Sequence, residues 1–183
     1  MRRALLLVAL ALACSRPEGE PAVRPAGVGA DVPDQEAWNI TKEVTRNGRL
    51  RASIRSPHLR KYDRERVSRL DGGVSVIFFG NAAGRPSGIP GDTLSTLTSR
   101  KALIDEGQRV LTAMDSVVLR STNGSVLYTD TLRWEEETET VRGPARVRIE
   151  GEHGTETGIG FEAKSDLSTW TLREVVTRID SAR

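Results

Sequence analysis

Apolar and polar residues alternate one by one through most of this chain. Leu50, Ala52 and Ile54 fall on one face, Val74, Val76 and Phe78 on the next, then Leu97 and Ser99, then Leu111, Ala113, Val117 and Leu119. Val147 and Ile149, Phe161, and finally Trp170 and Leu172 continue the series. Residues two apart share a face only in an extended strand. Period-2 patterning broken by Gly and Asp turns therefore predicts an all-antiparallel β fold. Val117–Trp134 shows the unit in full: Val117 and Leu119 lead into Asn123-Gly124, and Leu127, Leu132 and Trp134 lead out. Asn-Gly is the strongest short hairpin signal, because a tight primed turn needs positive φ at both central residues.

The same unit recurs. Gly48, Gly84, Gly124 and Gly154 stand 36, 40 and 30 residues apart, each at the mouth of a half-apolar run. Acidic turns follow at Tyr62-Asp63, Ile104-Asp105, Trp134-Glu135 and Ser165-Asp166. Short β-rich returns come after them at Val74–Phe79, Val110–Leu119, Val141–Ile149 and Thr169–Val176. A hairpin with one apolar face cannot bury it alone, so neighbours must stack. Ser99–Gln108 and Asp166–Ile179 fit a helical spacing too, but the repeat assigns both to strands. Asp31–Lys42 is read as holding at most one short turn of helix, and Gly80–Gly91, with Pro86 and Pro90, as the one long loop.

The first residues differ in kind. Met-Arg-Arg and the apolar run Ala4–Ala13 read as a secretory signal, too short for a spanning helix of about 20 residues. Leu10-Ala11-Leu12-Ala13-Cys14 resembles the bacterial lipoprotein cleavage box, so residues 1–13 are expected to be removed and Cys14 to carry the lipid anchor. More than one acyl chain makes such an anchor stable. Residues 14–36, rich in Pro and Gly and poor in large apolar side chains, form a flexible tether, and 37–183 the β domain. Cys14 is the only cysteine, which excludes an intramolecular disulfide and a multi-cysteine metal site. The chain carries 27 Lys and Arg against 25 Asp and Glu. Losing Arg2 and Arg3 leaves equal numbers of each sign, so no basic surplus remains for nucleic acid.

Catalytic chemistry is missing from the pattern. His58 and His153 read as solvated turn residues, and no metalloprotease, phosphate-loop or serine-hydrolase motif is present. Gly158-Ile159-Gly160 lacks the third glycine and the helix of a dinucleotide loop, and reads as a strand irregularity. Glu135-Glu136-Glu137 with Glu139 has no spacing that would organise a cation. No enzyme and no cofactor are expected. Small inner residues such as Ala52, Ser99, Ala113 and Ala145 leave room for an apolar guest between strands.

The order of segments resembles one family. Asn47-Gly48-x-Leu50-x-Ala52, Tyr62-Asp63 and Gly73–Phe79 with Gly84 are similar to the first half of LptC, the periplasmic component of lipopolysaccharide export. Val117–Leu119 with Asn123-Gly124, Leu127–Thr129, Leu132–Trp134, Val147–Ile149 and Gly158–Glu162 are similar to the second half. The resemblance implies an open, twisted antiparallel β-jellyroll that takes up lipopolysaccharide acyl chains. It implies a lining of Ile54, Val76, Phe78, Leu97, Val117, Leu119, Leu127, Leu132, Trp134, Val147, Ile149, Phe161 and Leu172. It also implies an LptA-like bridge protein pairing at the C-terminal edge (Trp170, Leu172, Val175), and the inner-membrane transporter LptB, LptF and LptG at the N-terminal edge. Well-known members carry an N-terminal transmembrane helix where this chain has the lipid-anchor signal. The location implied is the periplasmic face of the inner membrane, with the outer membrane as the alternative site of the lipid anchor. A lipid-free β-scaffold that binds proteins through its strand edges is the alternative.

Overall fold

A computed structural model describes residues 32–80, 91–152 and 154–179. The expected signal peptide, Cys14, nearly all of the tether, residues 81–90 of the long loop and His153 lie outside them. Among the described residues every regular element is a strand. In chain order they are β1 Gln35–Arg46, β2 Arg49–Tyr62, β3 Val67–Asp71, β4 Val74–Phe79, β5 Thr93–Ser99, β6 Lys101–Asp105, β7 Val110–Ser121, β8 Val126–Glu135, β9 Thr140–Gly151, β10 Gly154–Lys164 and β11 Trp170–Ile179. All neighbours pair antiparallel in one continuous sheet. The segment given at most a helical turn is instead β1, held along its whole length by β2 from Gln35↔Lys61 to Arg46↔Arg49. Pairing over eleven residues outweighs a weak local preference.

The sheet is folded over into two leaves. β2 pairs with β3 through residues 58–62 but with β4 through residues 52–55. β7 likewise pairs with β6 through residues 110–114 and with β5 through Val118–Ser121. The long strands thus cross from leaf A, which contains β3 and β6, to leaf B, which contains β4 and β5. Phe78 of leaf B and Trp134 of leaf A have ring centroids 5.1 Å apart. In a flat sheet three strand-to-strand steps of nearly 5 Å would separate their strands, so the leaves face each other. This is the expected jellyroll.

The corner is made by irregular backbone in strand after strand. Positive φ values occur at Asn39 in β1, at Gly72 and Gly73 between β3 and β4, at Asp115 and Ser116 in β7, and at Gly160 in β10. In β2 the corner holds Ser56-Pro57, and Pro57 offers no N–H to a ladder. Several corners shift the alternation by one residue: β8 buries Leu127 in leaf B but Leu132 and Trp134 in leaf A, with a register shift between Thr129 and Arg133. A bulge of this kind bends the strand and re-aims the next side chain.

All four expected acidic turns are present. In three of them the last residue takes the left-handed conformation, namely Arg66, Arg109 and Glu139. Each turn then hydrogen-bonds to the next: Glu106 N–H donates to Arg66 O (3.0 Å), Glu136 N–H to Arg109 O (3.3 Å) and Ser165 N–H to Glu139 O (3.1 Å). Acids suit these positions because they cap the turn, as Asp105 Oδ1 does for Gln108 N–H at 2.8 Å. The two Asn-Gly turns differ. Asn47 and Gly48 both have positive φ, making the tight primed turn. At Asn123-Gly124 only Gly124 does. There the loop is longer, and Gly124 N–H donates to Ser121 O at 3.2 Å.

Candidate functional site

The space between the leaves is apolar and continuous. Twelve of the thirteen expected lining residues, all but Leu172, are at most 3% exposed and belong to one cluster. Their side chains pack against one another, so the interior is filled. One polar atom inside has no partner: Trp134 Nε1 is buried without a hydrogen bond. The cluster reaches both ends of the sheet, since Ile40 and Val44 of β1 and Trp170 and Leu172 of β11 pack against it.

Those two strands are the rims. Among the described residues β1 pairs only with β2, and β11 only with β10. Unpaired N–H and C=O groups on such rims are a template for another chain's strand. Of the three residues expected at the C-terminal edge, Trp170 and Leu172 face inward, opposite buried Ala163 and Phe161. Val175, opposite Gly158 and in line with buried Val147, is 62% exposed at the open rim. At the N-terminal rim Trp38 is 65% exposed and stacks on His58 at 5.6 Å. His58 lies within β2, not in a turn, with Nε2 2.6 Å from Glu36 Oε1.

Opposite the corner, the free ends of the leaves meet along a seam. Ser121 Oγ donates to Asp166 O at 2.6 Å, and Asn123 Nδ2 to Asp166 O and Leu167 O, each at 3.3 Å. Arg51 pairs with Glu139. Two more glutamates of that run are in ion pairs: Glu136 binds Arg109 and Glu135 binds Arg142. Among the described residues no group of three or more His, Cys, Asp or Glu is placed to hold a metal.

Each mouth of the interior is spanned by a polar contact between leaves. At the C-terminal mouth Trp170 Nε1–H donates to Glu156 at 3.2 Å, beside a groove of about 580 Å³. At the N-terminal mouth Lys42, which shares a face with buried Ile54, reaches Glu106 at 3.1 Å. The sequence reading missed this pair. Its local trace is Lys42 at an inward position between Ile40 and Val44; nothing local points to Glu106.

Burial pushes the Glu106 carboxyl up, but the hydrogen bond and charge of Lys42, then Lys61 and the Ser68 hydroxyl, hold it below its ordinary 4.5. A carboxyl with a lowered folded value stabilises the fold fully above its unfolded value, and the benefit goes as pH falls through the folded one. The melting-temperature gap between wild type and Glu106→Gln is therefore expected to be constant above about pH 5 and to shrink below it. Melts followed by circular dichroism at stepped pH check this; a gap unchanged down to about pH 3 would contradict it.

Residues 4–180 match the family described as "LptC: Lipopolysaccharide-assembly, LptC-related". No curated protein matches the chain. Among solved structures the chain is similar to LptH of Pseudomonas aeruginosa, described as the LptA homologous periplasmic component of the lipopolysaccharide transport device. The TM-score is 0.51 at 11% identity, over 72% of this chain and 88% of that one. That likeness carries the fold; the family match carries the kinship. The sequence order, the two-leaved jellyroll and the match over nearly the whole length agree, and the chain belongs to the LptC-related family of lipopolysaccharide-assembly proteins.

Proposed function

We propose that this protein carries lipopolysaccharide across one step of the periplasm. It receives the lipid at the β1 rim from the inner-membrane transporter and passes it at the β11 rim to an LptA-like bridge protein. The acyl chains lie between the leaves, against the lining named above. Cys14 holds the protein to the periplasmic face of the inner membrane through its lipid, with the residues between it and β1 as the tether.

The observation that carries this reading is an apolar interior running from one unpaired rim to the other. Transfer of an acyl chain needs such continuity and no catalytic group. The leaves must part to admit the chain. What holds them at the seam is mainly a row of polar contacts near solvent, individually worth about 1 kcal/mol. The unpartnered Trp134 Nε1–H also suits a ligand whose chains begin at carbonyl oxygens.

The test is photocrosslinking in cells from a photoreactive residue at Phe78 or Leu119. A lipopolysaccharide adduct is expected at both; none at any lining position rejects the proposal. The tightly packed interior favours one other reading, a scaffold that binds proteins through its rims. That reading predicts protein adducts at Trp38 and Val175 and no lipid adduct.

A further inference from the structure

We infer that Lys42, Lys61 and Ser68 form a binding site for the phosphate of an anionic amphiphile, in which Glu106 is the resident anion that the phosphate displaces. The inference rests on the lipid-carrying reading above and specifies the head-group chemistry at its entrance.

The cluster is built from both leaves. Lys42 comes from the leaf-B part of β1, while Lys61, Ser68 and Glu106 belong to leaf A and its turn. One carboxylate stands between two cations and a hydroxyl. Its Oε1 accepts from Lys42 Nζ at 3.1 Å and Ser68 Oγ at 3.2 Å, while Lys61 Nζ, which pairs with Asp63 Oδ1 at 3.1 Å, lies 3.9 Å from its Oε2. Ser68 is buried and points inward, paired with Lys61 on one side and Ile104 on the other. Two ammonium groups and a hydroxyl around one small anion match a phosphate monoester, which brings more charge and more acceptor oxygens than a carboxylate.

The surroundings select an amphiphile over free phosphate. Ile40 and Val44 flank Lys42 on the same strand and pack against the core. A phosphate held at Lys42 and Lys61 thus sets any chain attached to it at the mouth of the apolar interior. Displacing Glu106 also removes the ion pair that ties β1 to the opposite leaf, so head-group binding and opening are coupled. All three charged side chains are about one-third exposed, within reach of a ligand arriving at the β1 rim.

The test measures binding of two probes to the full-length protein by calorimetry in neutral detergent: a bisphosphorylated hexa-acyl lipid A, and the same lipid dephosphorylated. Wild type is expected to prefer the phosphorylated probe. Glu106→Gln should tighten that probe about three- to fivefold and leave the other unchanged. Lys42→Met should weaken it by a similar factor, again leaving the other unchanged, and Lys42→Arg should keep the preference. Variants that shift both probes alike, or neither, overturn the site while leaving the carrier reading standing. Failure of wild type to bind either probe rejects both.

Discussion

Leu119→Asp is expected to abolish cooperative folding. Leu119 is fully buried in leaf B, between Leu97 of β5 and Leu127 of β8. No cation among the core residues could pair with a carboxylate there. An unpaired charge in such a site costs at least about 4 kcal/mol, most of the 5–15 kcal/mol that holds a typical domain together. A thermal melt by circular dichroism should show no sharp transition. A cooperative melt near the wild-type temperature would mean that water reaches this part of the interior. Because the interior is packed, this substitution cannot separate the carrier from the scaffold reading, whereas lipid crosslinking can.

Gly143→Ala is expected to cost about 2–3 kcal/mol, although it adds a single methyl group. The added Cβ would stand 2.5 Å from Thr131 O and 2.7 Å from Phe161 Cε1. The first is backbone of the neighbouring strand, and the second is a ring buried between the leaves, so neither gives way cheaply. Gly143 sits where β9 turns the corner before Pro144, and the strands come together closely there. Gly124→Ala makes the comparison. It meets nothing within 4 Å, and its cost is the left-handed backbone alone, about 1–2 kcal/mol. Chemical denaturation of the two variants should therefore rank Gly143→Ala as the more damaging. The reverse order would mean that β8 and β9 can separate at the corner.

Much of this architecture is legible from alternation, for a physical reason. Whether a residue faces in or out of a strand depends on its immediate neighbours, and Leu50, Ala52, Ile54, Val74, Val76 and Phe78 announce their burial without reference to distant residues. The turns are legible likewise, since Asp105 and Asp166 cap backbone groups two or three residues on. Alternation fails at the corner. Leu127 and Leu132 differ in parity yet face the same interior, because β8 slips by one residue while crossing between leaves. β1 is hidden because Gln35-Glu36-Ala37 carries little strand preference of its own and the left-handed Asn39 interrupts the alternation, so the strand takes its form from β2. His58 is obscured in a similar way: beside Pro57 it looks like a turn, and its partners Trp38 of β1 and Asp71 of β3 make it strand.

The chain by itself determined the β class, the inward-facing set, the positions of the turns and the family, all of which rest on short-range patterns and their order. The tertiary structure decided that the sheet folds into two leaves, that Trp170 turns inward at one mouth, and that Lys42 meets Glu106 at the other. Those contacts join residues brought together only by the fold of the whole sheet, and no neighbour in sequence records that they will meet.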